Sequence, residues 1–303
     1  MKIKRCDELV SWTEVQDIDL VVGRRMREYM TGPHRSVFHG GGLDFVGLRD
    51  WQPGDRASSI DWSQSTLTNF SPLITREYEQ QSTARVVVVA DTSLSTRCGV
   101  GGMPVATAIA RAVATLAFAG AYLQDQVGLI TFDGRSRQIS VRPGVGKNHA
   151  LHCVDAYQDV VLGRAEQTLN GTDAMFAGML RKTSMVPVVS DFLFEDYMKV
   201  LDELLELKAM HDVFVFLIDS CPAFDLPSIS AGWVKGYDVE TGQSRLFSSS
   251  EIQQMGTRVG IWQEMVEVAA AERGLEVLRL GADPERFHQQ VVEFLAERRL
   301  RKQ

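Results

Sequence analysis

From residue 85 onward, short apolar runs alternate with longer helical patterns, and this alternation limits the chain to few architectures. The apolar runs are RVVVVA, QVGLITF, RQISVRP, MVPVVS, DVFVFLI and LEVLRLG. Helical patterning between and after them predicts helices over residues 104–124, 173–183, 195–209, 250–272 and 284–299. Continuous apolar strands that alternate with helices indicate an α/β fold, whose doubly wound, mostly parallel sheet is covered on both faces.

Two segments depart from this alternation. Asp133 and Gly134 form a tight-turn pair between QVGLITF and RQISVRP. This pair predicts a hairpin, and therefore one antiparallel strand at the edge of the sheet. Residues 222–249 contain GWVKGYDVETGQSRLF, which predicts a second hairpin inserted between a strand and a helix.

The N-terminal part of the chain has a different character. Residues 16–31 have the spacing of an amphipathic helix, and glycine and proline follow them. Residues 43–79 mix aromatic, charged and turn-forming residues, which predicts short strands and turns. We therefore predict a small N-terminal α+β or β unit over residues 1–83 and a larger α/β domain over residues 84–303.

Charge and cysteine content restrict the partners and the compartment. The net charge of −7 argues against a protein that binds the phosphate backbone of nucleic acids. The four cysteines are far apart and form no CxxC pair, which favours a reducing compartment. No apolar run reaches the ~20 residues of a membrane span, so we expect no direct membrane insertion. The expected location is cytoplasmic, with partners providing any contact with a membrane.

Acidic and hydroxyl side chains follow two of the predicted strands. Asp91 ends the strand RVVVVA and leads into Ser93 and Ser95, while Asp191 ends MVPVVS. Thr172 lies between them in sequence, directly after an Asn-Gly turn and before a predicted helix. Because ligands of open parallel sheets bind outside the carboxyl ends of the strands, these residues are candidates for one site.

The chemistry of this set predicts a divalent cation. Hard cations such as Mg²⁺ take oxygen ligands, and here two carboxylates supply charge while three hydroxyls supply neutral oxygens. A cation held largely by neutral hydroxyls keeps much of its positive charge and attracts a carboxylate from outside. Mg²⁺ is the expected ion, with Mn²⁺ and Ca²⁺ as alternatives.

Two other interpretations of these residues stay open. An Asp and a Ser/Thr-rich loop after a strand often only cap the next helix or close a turn. Alternatively, Asp91 is the nucleophile of a metal-dependent phosphohydrolase. That mechanism requires a second Asp two positions later as acid and base, where this chain has Ser93.

The segments DTSLS, GTDAMFAGML and VVSDF resemble the metal-ion-dependent adhesion site of von Willebrand factor A domains. The resemblance implies a von Willebrand factor A-like fold over about residues 84–220, closed by the last strand and helix. It also implies that the five site residues are metal ligands: Asp91, Ser93, Ser95, Thr172 and Asp191. The role expected for this domain is protein binding rather than catalysis.

The stretch GGGLDFVGLRDWQPGDRASSIDWSQS resembles the signature of domain-of-unknown-function family fifty-eight, a bacterial family. The matching positions are Phe45, Leu48, Arg49, Trp51, Pro53, Gly54, Asp55, Ile60, Asp61 and Trp62. Members are commonly associated with AAA+ ATPases of the MoxR type, so the resemblance implies such an ATPase as a partner. Many members carry N-terminal membrane helices, and this chain shows no such segment, so membrane anchoring is not carried over.

The same stretch has a structural and a functional interpretation. Its charged residues predict a local ion-pair network, and its two tryptophans are expected to pack the small unit onto the main sheet. Alternatively, the stretch is a docking surface, since Trp and Arg are frequent in binding hot spots. The candidate docking residues are Arg49, Trp51, Asp55, Asp61 and Trp62.

Together these observations predict a non-enzymatic adaptor that binds proteins through a metal ion. Its expected partner is a MoxR-type AAA+ ATPase, or a client of that ATPase, which would present an acidic side chain. The expected role is chaperone-like remodelling or assembly of protein complexes. The alternatives are the phosphohydrolase with Asp91 as nucleophile and a cation site that only stabilises the fold.

Overall fold

The structure is a computed structural model that describes residues 8–31, 43–80, 84–99, 103–133, 137–164, 180, 182–225, 232–237, 244–281 and 283–301. The helices are α1 (Trp12–Thr31), α2 (Trp62–Leu67), α3 (Pro104–Tyr122), α4 (Lys147–Val161), α5 (Tyr197–Lys208), α6 (Ser249–Glu272) and α7 (Pro284–Arg301). The strands are β1 (Leu43–Asp50), β2 (Ile74–Gln80), β3 (Arg85–Asp91), β4 (Gln126–Phe132), β5 (Arg137–Gly144), β6 (Met185–Ser190), β7 (Asp212–Ile218), β8 (Trp233–Tyr237), β9 (Ser244–Ser248) and β10 (Glu276–Leu280).

A six-stranded sheet forms the centre of the fold, in the order β10-β7-β6-β3-β4-β5. All neighbouring strands are parallel except β5, which pairs antiparallel with β4 at the edge. The predicted mixed α/β class, mostly parallel sheet and antiparallel edge strand are therefore confirmed. The helix predicted over residues 173–183 lies largely outside the described residues.

The central strands bury both faces because apolar side chains occupy successive positions. In β3, Val86 and Val88 enter one core, and Val87 and Val89 enter the other. β7 does the same with alternating phenylalanine and valine side chains. Successive side chains of a strand point to opposite faces of the sheet, and here both faces are buried. The central strands are therefore mainly apolar runs rather than alternations of apolar and polar residues.

The small residues of α3 let this helix lie close to the sheet. A Cβ at Gly120 would come within 2.4 Å of the Val127 side chain on β4, so only glycine fits there. In the part of the chain that the structure describes, α3 is the one helix long and apolar enough to cross a membrane. Most of it, 78%, is buried in the fold, as expected for the core helix of a globular protein.

Helix α1 belongs to the core of the large sheet. Its buried residues Val15, Ile18, Val22 and Met26 recur at spacings of three and four, and they pack in the same cluster as α3 and α7. The N–H groups of Leu9 and Val10 both donate to Oε1 of the buried Gln158 on α4, at 2.9 and 3.1 Å. The predicted boundary near residue 84 stays a prediction, but α1 packs with the larger part.

The remaining elements form two small antiparallel sheets. β1 pairs with β2, and the short helix α2 between them was not predicted. β8 pairs with β9, which matches the hairpin predicted within residues 222–249, and β9 contacts α6. Gly134 of the turn predicted between β4 and β5 lies outside the described ranges, as do residues 238–243 between β8 and β9.

A buried histidine makes the stability of the core depend on pH. His288 on α7 lies 2.7 Å from the Thr115 hydroxyl of α3, and burial, with the nearby Arg111 charge, lowers the pKa of His288 to about 4. His288 therefore binds a proton more tightly in the unfolded chain than in the folded protein. Its contribution to the free energy of unfolding is fully present above pH 6.5 and is lost as the pH falls towards 4. We expect a loss of about 3 kcal/mol from this residue.

Urea unfolding from pH 7 to pH 4 measures this effect. The wild type should lose more stability over this range than His288→Gln, whose side chain carries no titrating group. Equal pH slopes for the two proteins would show that His288 is not protonated in this way.

Candidate metal centre

The strand order creates a crevice at the carboxyl end of the sheet. β3 continues through α3 to β4 on one side, whereas β6 continues through α5 to β7 on the other. The chain therefore leaves these two neighbouring strands in opposite directions, and ligands of open α/β sheets bind at such a point. Asp91 is the last residue of β3, and Asp191 directly follows β6.

The loop after β3 is fixed so that its serines point at each other. Both the N–H and the hydroxyl of Thr92 donate to the Phe132 carbonyl of β4, at 2.7 and 2.8 Å. A turn of 3-10 helix follows, closed by the Thr96 hydroxyl, which donates to the Ser93 carbonyl at 2.7 Å. As a result, the hydroxyl oxygens of Ser93 and Ser95 lie 2.9 Å apart.

The two strand ends meet through Ser95. Its hydroxyl donates to Oδ1 of Asp191 at 3.2 Å, while the Ser93 N–H donates to Oδ1 of Asp91 at 2.7 Å. Four of the five residues predicted for the metal site are thus brought together across the crevice. The fifth, Thr172, lies outside the described residues.

The carboxylates of Asp91 and Asp191 carry an unbalanced charge. Both residues are fully buried, and neither forms an ion pair with any residue that the structure describes. Burial raises the pKa of both carboxyl groups, and the negative charge of Asp91 further raises the pKa of Asp191. Two buried like charges are costly, so either a proton neutralises one of the carboxylates or, when both are ionised, a positive charge must balance them.

The donor set fits a small hard cation. Neighbouring oxygens around an octahedral ion with ligand distances of ~2.0–2.1 Å are ~2.9 Å apart. The Ser93–Ser95 separation of 2.9 Å and the Ser95–Asp191 separation of 3.2 Å are close to this spacing. Among the described residues, no three His, Cys, Asp or Glu side chains are grouped so that they could hold a metal ion, so any cation here would depend on hydroxyl oxygens as well.

Three residues that the sequence did not single out support this centre. Ser190 and Ser220 donate hydroxyl protons to Oδ2 of Asp91 and of Asp191, the second at 3.3 Å. Gln263 of α6 is fully buried, and its Nε2 donates to the carbonyls of Asp191 and Ile218, at 3.2 and 2.8 Å. Ser190 and Ser220 could have been identified from the sequence, because they lie at the ends of predicted strands. Gln263 could not, because nothing in the helical pattern of α6 distinguishes it.

The predicted docking residues lie on the β1–α2–β2 unit, and none of their described contacts reaches the crevice. Arg49 and Asp55 form a bidentate ion pair at 2.7 and 2.8 Å, which lowers the pKa of Asp55 to about 2. Asp61 caps α2 by accepting from the Gln64 N–H, and it pairs with Arg76 rather than with the predicted network.

The two tryptophans of this unit differ. Trp51 is half-buried, and its indole N–H is buried without a hydrogen-bond acceptor among the described residues. Trp62 is 59% exposed, so the prediction that both tryptophans pack the unit onto the main sheet is wrong for Trp62. A docking role for Trp62 is compatible with this exposure and stays a prediction.

Comparison with known proteins gives a family and distant structural likenesses. A family model described as "Protein of unknown function DUF58" matches residues 47–267. No curated protein matches the chain. Two solved structures are similar to it: the conserved hypothetical protein BatB from Bacteroides thetaiotaomicron and an aerotolerance-related membrane protein from Bacteroides fragilis NCTC 9343 with multiple mutations to serines.

These structural likenesses are distant. The BatB protein is 12% identical, with a TM-score of 0.36, over 71% of this chain and 98% of that chain. The aerotolerance-related protein is 13% identical, also with a TM-score of 0.36, over 69% of this chain and 99% of that chain.

Proposed function

The chain belongs to the DUF58 family of proteins of unknown function, and from this premise we propose that it is a non-enzymatic adaptor that binds proteins through a divalent cation. The cation would be held at the crevice between β3 and β6. The observation that carries the proposal is a pair of fully buried carboxylates, Asp91 and Asp191, beside two serine hydroxyls and without a basic partner among the described residues.

The resemblance of the loop sequences to the metal-ion-dependent adhesion site supports the same centre. In this proposal the large domain is von Willebrand factor A-like, and Thr172 adds a third neutral oxygen. Mg²⁺ is the proposed ion, because it favours few carboxylates and an octahedral set of oxygens.

Each residue then has a defined part in recognition. Asp91 and Asp191 supply negative charge from the two central strands, and Ser93 and Ser95 supply neutral oxygens. A cation so bound supplies a positive charge that is only partly neutralised, which attracts an acidic side chain of a partner. Leu94, exposed by 39%, lies beside the serines and offers an apolar contact next to this charge.

The proposed partner is a MoxR-type AAA+ ATPase or a client protein presented to it. This follows from the resemblance of residues 40–65 to the family signature and of the crevice to an adhesion site. The proposed setting is the cytoplasm, where the adaptor would assist the remodelling or assembly of other proteins.

The phosphohydrolase alternative is less well supported by the geometry. A nucleophilic carboxylate needs an accessible oxygen in line with the phosphorus atom. Asp91 is fully buried, its Oδ1 accepts from the Ser93 N–H, and its Oδ2 accepts from the Ser190 hydroxyl. A cation site that only stabilises the fold would use the same residues, and partner binding distinguishes it from the adaptor.

The adaptor proposal is tested with the purified chain and a purified MoxR-type AAA+ ATPase encoded in the same genome. We expect a complex in size-exclusion chromatography with Mg²⁺, and none with EDTA or with Asp91→Asn. Asp196→Asn, the same substitution at an exposed residue on the same side of the sheet, should bind as the wild type does. A complex that forms equally with EDTA would overturn the metal-bridged mechanism.

A further inference from the structure

An arginine that the proposed metal centre does not use lies in the same turn as its serines. Arg97 is partly buried and ends the 3-10 turn that contains Ser95. Burial and the Asp91 charge raise the pKa of the Tyr157 hydroxyl, and the charge of Arg97 lowers it. The Tyr157 hydroxyl also donates to the Asp91 carbonyl at 2.9 Å. The guanidinium of Arg97 is therefore close to the end of β3, where the crevice begins.

Arg97 is not paired with the part of the chain that the structure describes. Its Nε is buried without a hydrogen-bond acceptor, and none of the ion pairs found there includes it. Other partly buried arginines, Arg111, Arg279 and Arg298, each pair with a carboxylate. A guanidinium withdrawn from water without an acceptor lowers the stability of the fold, so its presence needs an explanation.

The backbone around Arg97 is fixed by its neighbours. The Thr96 hydroxyl donates to the Ser93 carbonyl at 2.7 Å, and the Cys98 N–H donates to the Ser95 carbonyl at 3.0 Å. The arginine therefore extends from a closed turn, so a ligand that binds it does not have to order the backbone first.

We propose that Arg97 binds an acidic side chain of the partner protein, next to the acidic side chain that the cation attracts. This inference rests on the proposed adaptor function and specifies its ligand: a peptide segment with at least two carboxylates. The planar guanidinium presents its N–H groups in a fork that matches a carboxylate. Because the chain carries a net charge of −7, it repels an acidic segment elsewhere, and binding depends on local positive charge such as that of Arg97.

Fluorescence anisotropy with a labelled hexaglutamate peptide in MgCl₂ tests the proposal without an identified partner. We expect the wild type to bind this peptide and Arg97→Met to raise its dissociation constant about tenfold or more, the usual effect of losing a hydrogen bond to a charged group. A hexaglutamine peptide with the same label should bind neither protein.

Arg142→Met is the matched control, because it removes the same charge from an exposed residue at the other end of the sheet. Arg142 lies in β5 between Val141, which pairs with Leu129, and Gly144, which pairs with Val127 near the start of β4. This variant should bind hexaglutamate as the wild type does.

Thermal unfolding separates a role in binding from a role in the fold. Met keeps an apolar chain at position 97, and the structure shows no hydrogen bond of Arg97 to the described residues that the substitution would break. The melting temperature of Arg97→Met should therefore be close to that of the wild type. A clear drop would show that Arg97 supports the fold, and this would overturn the proposal.

Addition of EDTA separates this proposal from the metal centre. We expect EDTA and Arg97→Met each to weaken peptide binding. If only EDTA weakens it, or if the wild type does not bind hexaglutamate, the role of Arg97 is refuted. If only Arg97→Met weakens it, the role of Arg97 stands and the metal bridge is refuted.

Discussion

Asp91→Asn is expected to abolish the stabilisation of the protein by Mg²⁺ without destabilising the metal-free protein. The wild type should gain about 2.7 kcal/mol at a Mg²⁺ concentration of 100 times the dissociation constant, because a cation bound only by the folded chain shifts the folding equilibrium. The variant should gain almost nothing, since it loses one of the two charges that hold the cation.

The metal-free result separates this explanation from general damage to the fold. Burial raises the pKa of Asp91, which means that its ionised form is unfavourable in the folded protein. A neutral asparagine removes that cost, and its Oδ1 still accepts from the Ser93 N–H, whereas its Nδ2 replaces the oxygen that accepts from the Ser190 hydroxyl. Because these two changes oppose each other, the metal-free variant should have a stability close to that of the wild type at pH 7.

Thermal unfolding with MgCl₂ and with EDTA measures both effects. Asp196→Asn provides the control for the substitution, because this residue is exposed and its side chain makes no cap hydrogen bond. The interpretation fails if Asp91→Asn retains the Mg²⁺-dependent rise in melting temperature. It also fails if the metal-free variant unfolds well below the wild type.

Among substitutions of charged residues that pack on the large sheet, Arg298→Met on α7 is expected to cause the largest loss of stability. The Arg298 guanidinium donates to both oxygens of Asp212, at 2.6 to 3.0 Å, and also to Glu276. It stacks on Phe214, 4.4 Å from the ring centre. The side chains of Arg298 and Asp212 are only 11% and 10% exposed, so the substitution removes the Arg298 cation from a nearly buried carboxylate. Breaking such a pair costs about 3–5 kcal/mol.

Urea unfolding of three variants tests this expectation. Arg298→Met/Asp212→Asn should recover part of the loss, because it removes the Asp212 charge as well. Arg245→Met is the matched control: its ion pair with Glu251 is largely exposed, so little change is expected. A loss for Arg298→Met as small as that of the control would show that this ion pair contributes little to stability.

The sequence predicted the large sheet well because its signals are local. β3, β4, β6 and β7 are mainly apolar runs; β3 ends at the predicted Asp91, β6 ends just before the predicted Asp191, and β4 ends just before the predicted turn. Four site residues could be placed because they directly follow such strands, and a parallel sheet brings its strand ends to one edge.

The features that were missed depend on contacts between distant parts of the chain. Gln263 reaches the centre across 72 residues, and its helix pattern is satisfied whether this position carries Gln or Leu. Trp62, the first residue of α2, is exposed although its residue type suggested packing. α1 was assigned to the N-terminal unit by its sequence position, whereas its apolar stripe packs on α3 and α7.

This placement of α1 makes the β1–α2–β2 unit an insertion with two attachments rather than an appended module. α1 precedes the unit and β3 follows it, and both are packed in the large core. The unit is therefore connected to the same body through residues 32–42 and through residues 81–83. A single proteolytic cut in either connection would leave both products associated, because α1 stays bound by its buried side chains. Any partner that pulls on the unit applies its force to the core at two points.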